Sequence, residues 1–138
     1  SYAYLDSELD DILNPISGEV EAFNFTNAPE HTYSLVADYT FPASSLGLFN
    51  INASYNFVDE RQKDSATAYR DAYDLVNARV SLSELSGLGG NWTFAAWGKN
   101  LQDSDYEAFT LNNLPQADRA VIWADGRSYG VDVIYRYE

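Results

Sequence analysis

The chain has 138 residues, 46% apolar and 15% aromatic, enough for one ordinary domain with a substantial apolar surface. Its mean hydropathy of −0.35, with no apolar run near the ~18–20 residues of a membrane-spanning helix, excludes a helical membrane bundle. A net charge of −13 argues against nucleic acid and against docking on anionic lipid, and the lack of cysteine removes disulfides, thiolate metal sites and a cysteine nucleophile.

Period-two alternation recurs along the chain, whereas helical periodicity is poor. The opening "SYAYLDSELD" sets Ala3, Leu5 and Leu9 against Tyr2, Tyr4, Asp6 and Glu8 and predicts a first strand. It shows neither the basic start nor the apolar centre of a secretory signal, so an exported form has lost one or the chain is part of a longer protein. A second strand carries Tyr33, Leu35, Ala37, Tyr39 and Phe41 on one face, with Ser34, Val36, Asp38 and Thr40 between them. The third alternates Phe49, Ile51, Ala53, Tyr55 and Phe57 with Asn50, Asn52, Ser54 and Asn56. The fourth opposes Val76, Ala78, Val80 and Leu82 to Asn77, Arg79, Ser81 and Ser83. "NWTFAAWGKNL" puts Trp92, Phe94, Ala96 and Gly98 on one face and Thr93, Ala95, Trp97 and Lys99 on the other. The last strand shows Tyr129, Val131, Val133, Tyr135 and Tyr137 along one face. The expectation is six antiparallel strands, most near ten residues.

The predicted connections alternate in length. Residues 10–31, 59–73 and 102–126 are long, while 42–47 and 84–90 are tight. Outer-membrane barrels have short periplasmic turns, long outer loops and strands of ~9–11 residues. No outward residue in the four clean rows is charged. A charge there would cost ~2–4 kcal/mol at a bilayer midplane, although a soluble core would exclude it too. Tyr39, Phe41, Tyr55, Phe57, Tyr135 and Tyr137 crowd strand ends, as in the aromatic girdles at membrane interfaces. Two readings follow: part of a membrane barrel, or a soluble antiparallel β-sandwich that binds carbohydrate or protein. In the first, six strands cannot close, because an open edge in lipid leaves backbone groups unpaired, so the strands belong to a larger barrel. The second requires the Tyr/Val rows to meet in a dry core.

"SYAYLDSELDD", "NAPEHTYSLVADYTF", "YDLVNARVSL", "WGKNLQDSDY" and "RSYGVDVIYRYE", in this order and spacing, resemble the C-terminal end of a TonB-dependent outer-membrane receptor. The Gly98–Leu101 piece, followed by Asp103 and Tyr106, is the most characteristic. The resemblance implies that residues 1–138 are the last six strands of a barrel of about 22 strands closed by a plug, with the plug and earlier strands absent. It implies import of a scarce nutrient, an iron chelate, cobalamin or an oligosaccharide, into a Gram-negative cell with energy supplied by TonB. The implied partners are the rest of the barrel and its plug, the TonB complex through the missing N-terminal part, the barrel-assembly machinery and outer-membrane lipid. No cofactor is implied. A barrel-assembly signal of this family is matched by Ser128, Gly130, Val133 and Tyr135, with Tyr137 close to the usual terminal aromatic and Glu138 one residue beyond it. The implied orientation makes the long loops extracellular and the tight turns periplasmic.

That orientation sets Asn56, Asn77, Arg79, Trp97, Lys99 and Ser128 on the lumen side toward the outer end, as ligand candidates or as a water-lined wall against the plug. Tyr69, Tyr106, Phe109 and Trp123 are loop aromatics able to stack on a sugar or a catecholate, or to pack within the loops. His31, the one histidine, reads as a solvated loop residue. The acids between Asp6 and Asp11 lack the Gly-centred spacing of a calcium loop and read as a solvated rim. No Ser/His/Asp set or Gly-rich phosphate loop can be assembled, so neither catalytic nor metal residues are assigned and no enzyme is expected.

Overall fold

The computed structural model describes residues 1–43, 46–62, 69–85, 91–114 and 117–137. Parts of both predicted tight turns, and Glu138, lie outside the described residues. The chain is all β: β1 (Tyr2–Tyr4), β2 (Glu8–Leu13), β3 (Val20–Asn24), β4 (His31–Pro42), β5 (Leu48–Val58), β6 (Arg61–Gln62), β7 (Tyr69–Arg70), β8 (Tyr73–Ser83), β9 (Asn91–Lys99), β10 (Glu107–Leu114), β11 (Ala117–Trp123) and β12 (Ser128–Arg136). Six of them form one sheet in the order β1-β4-β5-β8-β9-β12, so strands consecutive in the sheet are joined in chain order. The sequence reading of six antiparallel strands holds. Each predicted long loop carries a two-stranded hairpin of its own: β2–β3, β6–β7 and β10–β11.

The first strand is shorter than its alternation predicts. Tyr2 to Tyr4 pair with Tyr33 to His31, and Leu5 N–H still donates to Glu30 O (2.9 Å). The next residue would face Pro29, which has no N–H to give, so the ladder stops and the chain turns into β2. His31 is likewise not a loop residue. It opens β4, a hydrogen bond joins its Nδ1 to Tyr2 Oη (3.0 Å), and its ring stacks with Tyr2 and Tyr33.

The chain divides into two compact units. One comprises Ser1–Tyr33, Phe57–Asp74 and Asp105–Ala124, and the other Ser34–Asn56, Leu75–Ser104 and Asp125–Glu138. In the second unit, register fixes the two faces of the sheet. Ala78 pairs with Gly98, Val80 with Ala96 and Leu82 with Phe94. The row continues onto β12, where Tyr129, Val131, Val133 and Tyr135 meet Gly98, Ala96, Phe94 and Trp92. Trp92 packs on Tyr135 at 4.7 Å between centroids. This apolar row is not covered: Tyr129 is 81% and Val131 79% exposed, and Ala95 is the one buried apolar residue among those described. The dry core that a soluble sandwich requires is not formed by these rows.

On the other face Gly130 lies opposite Trp97. A Cβ at Gly130 would sit 2.6 Å from Trp97 Cζ2, so the glycine makes room for the indole. Gly130→Ala is therefore expected to displace Trp97 and destabilise the strand pair by about 2 kcal/mol, with Trp97→Ala in the same chain restoring part of it. Denaturant midpoints of the folded receptor measure both; an unchanged midpoint for Gly130→Ala would contradict the close packing.

Candidate functional site

Polar residues of the sheet satisfy one another across strands. Asn50 Nδ2 donates to Asp38 Oδ1 (3.0 Å) and Thr40 Oγ1 (2.8 Å), and Asn52 Nδ2 to Asp38 Oδ2 (2.9 Å). Asn77 Nδ2 donates to Ser54 Oγ (3.2 Å). Asp132 accepts from Arg79 Nη1 (2.6 Å) on one oxygen and from Trp97 Nε1 (3.2 Å) on the other. Lys99 Nζ lies 5.7 Å from the centre of the Trp97 ring, within cation–π range. Asn77, Arg79, Trp97 and Lys99 thus come together, lining an open recess of about 320 Å³ with Asn52. Asn56 and Ser128 do not line it, although Ser128 pairs with Lys99 in register. Arg79 and Trp97 are committed to Asp132, a residue that the sequence reading did not single out.

The "WGKNLQDSDY" stretch is a knot of hydrogen bonds rather than an open rim. Asn100 has φ +49°, a left-handed conformation that asparagine tolerates, and is 5% exposed. Its N–H donates to Asn77 Oδ1 (3.0 Å), its Nδ2 to Ser104 O (3.0 Å) and Asp125 O (3.4 Å), and its Oδ1 accepts from Ser104 N–H (2.9 Å). Leu101 N–H donates to Val76 O (2.9 Å). Asp103, with φ +61°, accepts from Arg127 N–H (2.9 Å) and forms an ion pair with its guanidinium (3.3 Å). Asn100 therefore fastens the start of β8, the end of β9 and the segment entering β12 to one another.

In the other unit a buried cluster links the three long connections. Arg70 is 9% exposed, donates from Nη1 to Asn27 Oδ1 (2.6 Å), and holds Nε 3.7 Å from Glu107 Oε2. Thr110 Oγ1 donates to the same carboxylate oxygen (2.9 Å). Asn27 N–H donates to Gln62 O (2.8 Å). Tyr106 stacks flat on Tyr73 at 4.0 Å, and the Arg61 guanidinium lies 5.4 Å from the Tyr73 ring centre. Tyr106 is thus a packing residue within the unit. Phe109 and Trp123 lie in the β10–β11 hairpin, opposite Ile122 and Glu107, with about half of each side chain exposed. Tyr69 lines a separate cavity of about 390 Å³ in this unit. The sequence reading missed Arg70, Glu107 and Asn27, whose partners come from separate connections, and Arg61, which lies by Tyr73.

A sheet exposed on its apolar face and hydrogen-bonded across its polar one is the wall of a β-barrel cut open. Residues 1–101 match the family model described as TonB dependent receptor-like, beta-barrel, and the chain belongs to that family. Its members are outer-membrane transport proteins of Gram-negative bacteria that work with TonB and are not enzymes. No curated protein and no solved structure matches the chain.

Proposed function

We propose that residues 1–138 form the last six membrane-crossing strands of a receptor barrel of about 22 strands, whose plug and earlier strands belong to the rest of the protein. The receptor imports a scarce nutrient, an iron chelate, cobalamin or an oligosaccharide, with energy delivered by TonB to the part that precedes this chain. The observation that carries the reading is the continuous apolar row over β8, β9 and β12, exposed at Tyr129 and Val131 and free of charge. Lipid is the solvent that suits it, because a water-facing strand would not keep every second position apolar. The opposite face, from Asp38 across Arg79 to Asp132, suits a water-filled lumen.

In this reading Asn56, Asn77, Arg79, Trp97, Lys99 and Ser128 line the lumen toward the plug. Arg79 and Trp97 hold the wall through Asp132, and Lys99 and Ser128 are the exposed members of the set. Tyr69, Phe109 and Trp123 face substrate from the outer loops, with Tyr106 supporting them. Ser128, Gly130, Val133, Tyr135 and Tyr137 form the strand read by the barrel-assembly machinery, which must close β12 against the first strand of the barrel. Gly130 then serves twice, as the assembly glycine and as the gap for Trp97.

The test is an antibody against residues 102–126 applied to intact cells and to outer-membrane fractions. The expected result is surface labelling and a heat-modifiable band several times heavier than the 15.5 kDa of this chain. A soluble band at the chain's own mass would overturn the proposal.

A further inference from the structure

The cavity of about 390 Å³ is lined mainly by residues of the long connections, and its walls are held in place by backbone hydrogen bonds. Leu5 N–H donates to Glu30 O (2.9 Å), Phe25 N–H to Ser7 O (3.1 Å) and Asp59 N–H to His31 O (3.0 Å). Asn27, bonded to Gln62 O and to Arg70, ties the β6–β7 hairpin to the first long connection. Tyr4, Phe25 and Tyr69 line the cavity, and each leaves about half its surface exposed.

Three ligand chemistries can be weighed against the wall. Asp6, Glu8, Glu30, Asp59 and Glu60 line it against one cation, Arg61, so an anionic ligand would be repelled. A bare metal ion is not accommodated, because among the described residues no three acids or histidines converge on a point. The acceptors are instead spread around the wall, beside donors on Arg61 and Gln62 and beside open aromatic rings. A pyranose fits that distribution: its hydroxyl groups donate and accept around the ring edge, and its C–H face lies on an aromatic ring.

We propose that this cavity is a binding site for a non-anionic carbohydrate. The inference rests on the receptor reading above and narrows it to a glycan. Carboxylates favour neutral or amino sugars over uronic acids, and Tyr69 and Phe25 supply the stacking surfaces. Arg70 is a positioning residue, acting through Asn27 on the wall that carries Gln62 and Tyr69.

The experiment uses the complete receptor purified from outer membranes in detergent, with heat-modifiable migration confirming a folded barrel. Calorimetric titrations use three tetramers: N-acetylchitotetraose (neutral), chitotetraose (cationic) and tetragalacturonate (anionic). The first two are expected to bind and the third not to. Tyr69→Ala and Phe25→Ala should each weaken binding about tenfold, with migration unchanged. Tighter binding of the cationic tetramer would assign more of the affinity to the carboxylates, and equal binding more to the hydroxyl groups; both support the site. Equal or tighter binding of tetragalacturonate, no binding of any tetramer by a folded barrel, or unchanged affinity in both aromatic variants would overturn it. A protein that never migrates as a membrane barrel would overturn the receptor reading, and this inference with it.

Discussion

Arg70→Ala is expected to open the loop unit at a cost of about 3–5 kcal/mol, the range for removing one partner of a buried ion pair. The side chains of Arg70 and Glu107 are only 10% and 11% exposed, so solvent screens the pair weakly. Arg70 also holds Asn27, so its removal leaves the Asn27 N–H to Gln62 O bond to join the first long connection to the second, and leaves the Glu107 carboxylate without its cation. The measurement is hydrogen exchange in the complete receptor, which reads each segment separately. Protection in β6–β7 and β10–β11 should fall by roughly two to four orders of magnitude while β9 and β12 are unchanged. Glu107→Gln should cost less, since an amide oxygen can still accept from Thr110. Arg70→Met combined with Glu107→Leu should recover much of the loss, because apolar side chains of similar size avoid the desolvation of two ions. Unaltered exchange in Arg70→Ala would show that the pair does not fasten the connections.

Asn100→Ala is expected to destabilise the other unit by about 3 kcal/mol. Three side-chain hydrogen bonds disappear at a residue that is 5% exposed. The carbonyls of Ser104 and Asp125 and the N–H of Ser104 then lose a partner in part-buried surroundings. Alanine at φ +49° adds backbone strain that asparagine avoids. Asn100→Gly removes that strain but not the lost bonds, so it should fall between the two. The denaturant midpoint of the folded receptor orders the three proteins. A glycine variant as stable as the natural chain would mean that conformation, and not the side-chain bonds, is what Asn100 contributes.

The six sheet strands were legible because period-two alternation marks Tyr33–Phe41, Phe49–Phe57, Val76–Leu82 and Tyr129–Tyr137 as separate rows, and register confirms the faces assigned to β8, β9 and β12. The hairpins inside the long connections were not. β2 and β3 are short and acidic, and the turn between them is set by Asn14, whose Oδ1 accepts from the N–H groups of Ile16 and Ser17, and by Gly18 at φ +74°. Asn14-Pro15 and Gly18 are turn punctuation in the sequence, inside a segment that length alone marks as a loop. Arg70 and Glu107 were not singled out in the sequence, since nothing local distinguishes a buried arginine whose partners come from two other connections. Asn100 stood inside the most characteristic stretch of the family resemblance, but its role depends on Asn77 and Asp125, both distant in sequence. Period and punctuation report what a segment does by itself; the cross-links between segments appear only once the chain is folded.

The six-stranded sheet ends at β12 on one side, and on the other β4 continues to Pro42 well past its short pairing with β1. Both margins present backbone donors and acceptors beside aromatic and β-branched side chains, and no proline interrupts β12 to discourage a newcomer. Prepared by itself in buffer, this chain has the makings of a polymer, each copy templating the next by strand addition until cross-β fibres form. Lysine placed at alternate positions of β12, or a detergent present from the moment of refolding, would be the practical means of keeping such a preparation in solution.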